Sequence, residues 1–331
     1  MTNQKLITIC IPTYNRSKTV THLVQELLDF ELNDQIEILI IDDCSTDNTF
    51  EELSKFSHHN NVSIFKNEKN LSFARTVLRC FNLCKTEYLI DLPDDAILYK
   101  DGILELLSLL PTLDVDFLAT RWAHPSGQLL AGQHLAGRGS DKVKEISLTN
   151  IRGQSGHSDG CVYRTSILRF SEQYILERLD QDCALAFFYP QFIFLYMAKL
   201  NNLKLYSSPI IMGGYGPEGA LPSSLNLDGN TYASLSGAFN IYLGLKHFYE
   251  DMLTKFYDSP LVDELKVLSD NYNLSLYAII DDAVFYSDDS ESKSLGENFR
   301  VGSIKNIFNP ITGFRYLVRF IAVKLKALRY K

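Results

Sequence analysis

The first 120 residues alternate between two hydrophobic periods, and nothing else in the chain constrains its fold as tightly. Residues 6–11 (LITICI), 37–41 (EILII), 62–65 (VSIF) and 88–92 (YLIDL) are short, rich in β-branched or aromatic side chains, and bounded by turn formers. Between them, residues 17–30, 49–56 and 71–84 carry helical spacing. A helix predicted over 102–110 precedes a fifth strand at 116–122 (DFLATRW). Strand and helix alternating in this way predict an α/β fold with a mostly parallel sheet covered by helices on both faces.

Beyond residue 124 the pattern changes. Seven glycines fall between Gly127 and Gly160, and so long a loop in a compact domain is usually functional. Residues 175–200 and 232–285 then read as helical, 204–212 as a strand returning to the sheet, and GGYGPEG as a turn or loop. With 331 residues, 46% of them hydrophobic, the chain can bury a large core without disulfides. Six cysteines without a CxxC pair predict buried free thiols in a reducing cytosol. The sequence shows no signal peptide and no apolar stretch long enough to span a bilayer, which leads to the expectation of a cytoplasmic protein.

Ligands of open parallel sheets bind at the carboxyl ends of the strands. Here each of the first four strands exits into a polar cluster: Pro12-Thr13-Tyr14-Asn15-Arg16, then Asp42-Asp43-Cys44-Ser45-Thr46-Asp47, then Asn67-Glu68-Lys69-Asn70 with Arg75 beyond, then Asp91 and Asp94-Asp95. One such end is routine, because turns and helix caps favour Asn, Asp and Pro. Four on one sheet edge favour a site. Adjacent carboxylates with no Cys or His ligand set suit Mg²⁺ or Mn²⁺, ions that complete their shells with water and phosphate oxygens. Asp94 and Asp95 are therefore candidate metal ligands, and the partner they imply is a diphosphate. Asp42 and Asp43 accept hydrogen bonds only, which suits a base N–H or ribose hydroxyls. Arg16 and Arg75 are candidates for phosphate contact.

Four ordered blocks, ITICIPTYNR, IEILIIDDCSTDNT, FKNEKNLSFAR and EYLIDLPDDAIL, resemble the nucleotide-binding half of family 2 glycosyltransferases of the GT-A fold. Within that family the chain is most similar to bacterial O-antigen and capsule sugar transferases of the abequosyltransferase-like kind. The resemblance implies a nucleotide-sugar site bordered by Pro12, Tyr14, Asn15 and Arg16, with Asp42 or Asp43 on the base and Asp47 closing the loop. It also puts Asp94 and Asp95 in the DXD-type metal position, Asp95 being the better candidate for direct ligation. The family often has Gly where this chain has Ser72, and Asn where it has Thr76. Its usual acidic catalytic base has no clean counterpart here. Asp182 or Asp180 in ERLDQDCALAFF fills the role by position, and Asp159 competes.

The resulting expectation is a metal-dependent, inverting transfer of sugar from a nucleotide-sugar to a hydroxyl of a glycan acceptor in surface polysaccharide synthesis. Residues 1–220 form the transferase domain, divided at 121 into nucleotide-binding and acceptor halves, and residues 221–331 a helical C-terminal region. The competing expectations are a non-catalytic GT-A domain serving an assembly complex, and a nucleotidyltransferase. The latter would carry a Gly-rich basic loop where this chain has PTYNR.

From Arg300 to Lys331 there are eight Lys or Arg and no Asp or Glu, on a chain whose net charge is −8. On a helical wheel, Arg315, Arg319, Lys326 and Arg329 oppose Phe314, Leu317, Ile321, Leu325 and Leu328. Such a helix either lies on an anionic membrane, close to a polyprenyl-diphosphate-linked acceptor, or packs on the protein. Nucleic acid is not an expected partner.

Overall fold

The computed structural model describes residues 5–123, 142–146, 161–169, 175–176, 203–215, 250–254, 262–263 and 266. The chain divides into two compact units, residues 1–223 and 224–331. In the second unit the described residues include the helical segment Glu250–Thr254.

The first unit is built on a nine-stranded sheet. Its elements run β1 (Ile7–Thr13), α1 (Ser17–Asp29), β2 (Ile36–Asp42), α2 (Thr49–Ser54), β3 (Val62–Lys66), α3 (Ser72–Leu83), β4 (Tyr88–Asp91), β5 (Ala96–Leu98), α4 (Lys100–Leu109), β6 (Phe117–Ala123), β7 (Lys144–Glu145), β8 (Cys161–Arg164) and β9 (Leu205–Tyr215). The strand order is β3-β2-β1-β4-β8-β6-β9-β5, with β7 also on β9. Strands β3, β2, β1 and β4 are mutually parallel, and β6 lies parallel to β9. Between these halves β8 runs antiparallel to both β4 and β6, so the sheet is mixed. It remains mostly parallel, as the α/β pattern predicted.

The central strands are rich in apolar residues because both faces are covered. Ile7, Ile9 and Ile11 of β1 are completely buried, as are Ile38 and Ile40 of β2. Helix α1 buries Val20, Leu23, Val24, Leu27 and Leu28, the three-and-four spacing of one helical face. Helix α4 lies so close to β9 that a Cβ on Gly102 would stand 2.4 Å from the Ile211 carbonyl oxygen.

Four departures from the sequence reading have physical causes. β5 escapes notice because three residues between Asp95 and Tyr99 carry no period; it is held by β9 through Ala96↔Tyr215 and Leu98↔Gly213. β9 runs on through the two glycines read as a loop, because those residues pair with both β5 and β6. β7, of two residues, lies inside the glycine-rich stretch. Cys10 and Cys80 form a disulfide between β1 and α3 rather than remaining free, whereas Cys44 and Cys84 are free thiols. Among the described residues, no helix is long and apolar enough to cross a membrane.

Candidate functional site

The β ladders run slightly past the strands and fix the polar exits rigidly. The Asp43 N–H donates to the Thr13 carbonyl (2.9 Å), the Asn67 N–H to the Asp42 carbonyl (2.8 Å), and the Leu92 N–H to the Cys10 carbonyl (2.8 Å). Immediately beyond, the chain takes left-handed turns at Asn15 (φ 54°) and Cys44 (φ 63°), with a third at Ser72 (φ 66°). These are conformations that cost a side-chain-bearing residue of order 1 kcal/mol or more and that cluster at functional sites. The backbone at Ser72 accounts for the glycine that the family often carries there.

Asn15 and Ser45 bind the first two exits together. The Asn15 N–H donates to Ser45 Oγ (2.9 Å), and the Thr46 N–H donates to Asn15 Oδ1 (2.8 Å). Tyr14 stands exposed beside them and Pro12 is half-buried. Asp47 accepts from the Thr49 N–H (2.9 Å) at the start of α2, a helix-start role that fits its turn position.

The two adjacent aspartates on β2's exit are not equivalent. Asp42 is fully buried. Its carboxylate accepts from the Ser45 N–H and hydroxyl, and Lys66 Nζ stands 3.6 Å from Oδ2. Asp43 is 5% exposed, and only its Oδ1 is engaged, accepting from Asn67 Nδ2 (2.6 Å) and the Leu71 N–H (2.8 Å). Asp43 Oδ2 takes no hydrogen bond from the described residues. Arg79 donates to Asn67 Oδ1 and to the Lys66 carbonyl (3.3 Å), so it braces the amide that holds Asp43.

On the neighbouring exit, Thr13 Oγ1 donates to Asp94 Oδ2 (2.7 Å). Arg16 Nη1 donates to Asp95 Oδ2 (2.9 Å) and lies 3.4 Å from Asp94 Oδ1. The guanidinium thus offsets the repulsion of the two carboxylates. Burial pushes the Asp94 carboxyl up to about 6, against the lowering pull of Arg16 and Thr13. Asp91 is buried at the end of β4, and Arg75 is half-buried on α3. Asp180 and Asp182, with Asp159, lie outside the described residues, as does the basic segment expected to form a helix near the C-terminus.

The structure therefore brings Arg16, Asp94 and Asp95 together, and links Asn15 to the Asp42–Asp43 turn through Ser45. Sequence reasoning missed Thr13, Lys66, Asn67 and Arg79 as supporting groups. Each sits in or next to the quoted blocks, yet its role depends on a partner distant in sequence.

A mixed sheet of this order, with an acidic rim at the exits of its parallel half, is that of a GT-A domain. Residues 8–171 match the model of the family described as Glycosyl transferase family 2, and the chain carries a domain of that family. Over 176 residues it is 24% identical to poly(ribitol-phosphate) β-N-acetylglucosaminyltransferase TarS of Staphylococcus aureus, an alignment covering 52% of this chain and 30% of that protein. Over 119 residues it is 33% identical to abequosyltransferase RfbV of Salmonella typhimurium, covering 35% of this chain and 36% of that protein. The chain thus spans about a third of the length of these curated relatives. Among solved structures, S. aureus TarS 1-349 in complex with UDP-GlcNAc superposes with a TM-score of 0.60 at 16% identity, over 87% of this chain and 77% of that one. That likeness supports the fold.

Proposed function

We propose that this protein is a metal-dependent, inverting glycosyltransferase, moving a sugar from a nucleotide-sugar to a hydroxyl of a glycan acceptor. The observation that carries the reading is the Arg16–Asp94–Asp95 cluster beside Asp43, at the carboxyl edge of a family 2 domain. That the relatives are named as glycosyltransferases, and that one is solved with UDP-GlcNAc, favours the same chemistry here.

Asp43 is the residue assigned to the nucleobase, because its Oδ2 is open while Asp42 is occupied by Ser45 and Lys66. Pro12, Tyr14 and Asn15 border that end, and Arg75 remains a phosphate candidate. Asp94 and Asp95 fit a hard divalent cation: both are oxygen donors, they adjoin each other, and their charge is only partly offset by Arg16. Mg²⁺ and Mn²⁺ take much of their shell from water and phosphate, so two protein carboxylates can serve as anchor. Asp95 is the better direct ligand, since Asp94 is already tied to Thr13. When bound, such an ion supplies Lewis-acid stabilisation of a departing diphosphate.

The chain's own groups do the rest. Asp43 orients the base, Thr13 and Arg16 hold the acidic pair in place, and Arg16 offers positive charge at the leaving-group end. The proton of the attacking hydroxyl goes to a carboxylate on the opposite side of the sugar, the role assigned to Asp182 or Asp180. A lipid-linked acceptor in surface polysaccharide synthesis, reached through the basic C-terminal helix, completes the reading. The test is release of nucleoside diphosphate from a panel of nucleotide-sugars with Mn²⁺ and a lipid-linked glycan acceptor. Release by the wild type and its loss in Asp95→Ala support the proposal; no turnover with any donor sinks it.

A further inference from the structure

We infer that Asn67 and Arg79 form a positioning relay that presents a single oxygen of Asp43, and so selects a base with one lone ring N–H, as in uracil or thymine. The inference rests on the donor-site reading above.

The relay's polarity is fixed by chemistry. Arginine can only donate, and an ionised carboxylate can only accept. Asn67 lies between them, so its oxygen must face Arg79 and its amide nitrogen must face Asp43. The contacts agree: Arg79 Nη1 donates to Asn67 Oδ1, and Asn67 Nδ2 donates to Asp43 Oδ1 at 2.6 Å. The second amide hydrogen meets Thr76 Oγ1 at 3.1 Å. Asn67 is 2% exposed, so a flip would set its oxygen against the carboxylate with no water to compensate. Arg79 is itself steadied by the Lys66 carbonyl and by the Phe65 ring, 5.9 Å from its guanidinium carbon. The Leu71 N–H adds a second donor to the same oxygen of Asp43, at 2.8 Å.

Oδ1 of Asp43 is thus taken twice, and Oδ2 is left for a ligand. Guanine offers two adjacent donors, N1–H and the 2-amine, a pair best met by both oxygens of one carboxylate. Cytosine has no ring N–H at N3 and could donate only through its exocyclic amine, with the N3 lone pair set repulsively beside the carboxylate. A uracil-type imide offers one N–H between two carbonyls and matches one open oxygen.

The experiment is calorimetric titration of the full chain with UDP, CDP, GDP and inorganic pyrophosphate, each with Mn²⁺, for wild type, Arg79→Met, Arg79→Lys and Asn67→Ala. Arg79 is half-buried on the surface of α3, so its variants keep the fold even if Asn67→Ala does not. The wild type should favour UDP over GDP and CDP. In Arg79→Met, UDP affinity should fall about tenfold, the size of one charge-assisted hydrogen bond, and the UDP preference should shrink with it. Arg79→Lys should recover part of both, and pyrophosphate should bind all four proteins alike. Equal weakening of UDP and pyrophosphate would reduce the relay to a structural role and overturn the inference, as would an unchanged UDP:GDP ratio. Failure of the wild type to bind any nucleoside diphosphate would overturn the donor-site reading itself.

Discussion

The Thr13 hydroxyl donates to Asp94 Oδ2 at 2.7 Å, while the backbone carbonyl of the same threonine receives the Asp43 N–H at 2.9 Å. One residue of β1 therefore contacts both the Asp43 backbone and the Asp94 carboxylate. Thr13→Val keeps the shape and removes the hydroxyl donor. That hydrogen bond lowers the Asp94 pKa, so its loss raises it. The ionised fraction then falls at a given pH, and Mn²⁺ affinity should drop several-fold near neutrality and recover at higher pH. Mn²⁺ titration followed by electron paramagnetic resonance at a series of pH values tests this; a parallel curve for the variant would refute it.

Asp94 also makes stability depend on pH in the metal-free protein. Its carboxyl is raised from 3.8 to about 6 by burial, so the fold prefers the protonated form. Its contribution is fully present below about 3.8 and is lost as pH rises through about 6. The difference in Tm between wild type and Asp94→Asn should accordingly move in the variant's favour across that interval and be level above it. Thermal melts in chelator from pH 4 to pH 8 measure it, and a difference that stays constant would contradict the burial argument.

Gly102→Ala should destabilise the first unit by about 2 kcal/mol, the usual scale of overpacking against unyielding backbone. The added methyl would meet the Ile211 carbonyl oxygen at 2.4 Å and the Met212 Cα at 2.9 Å, and neither can rotate away. A denaturant midpoint equal to wild type would show that α4 can shift on β9 without cost.

Arg164 secures the antiparallel strand that joins the sheet's halves. It pairs with Asp116 (3.1 Å), Glu87 (2.6 Å) and Asp114 (3.2 Å), and its guanidinium carbon lies 5.3 Å from the centre of the Tyr88 ring. Arg164→Ala should cost about 1–2 kcal/mol, mostly through the shielded Asp116 contact and the Tyr88 stacking, since the more exposed pairs are worth little. The Tm loss should shrink in high salt, though not vanish. A loss that is fully abolished by salt would assign the whole effect to surface charge.

The strand exits were legible because Asp, Asn and Pro collect where a parallel strand stops, and the spacing of the four blocks carried the family. The different surroundings of the Asp42 and Asp43 carboxylates were not legible. They arise because Ser45 engages one carboxylate and Asn67, 24 residues away, engages the other. Thr13 reads in sequence as one member of a polar strand exit, and only the neighbouring β4 exit, 81 residues on, gives its hydroxyl a use. Cys10 and Cys80, 70 residues apart in apolar runs, offer no local sign of pairing. Tertiary partners decide all of these, and no window along the chain contains them.

The short strand β5 begins at the residue after Asp95 and is stitched into β9, with Ala96 opposite Tyr215 and the Tyr99 N–H on the Met212 carbonyl at 2.9 Å. The acidic pair is thereby suspended between two anchorages, one in the strand before it and one in the sheet's opposite margin. Any displacement of these carboxylates is therefore resisted by that far seam.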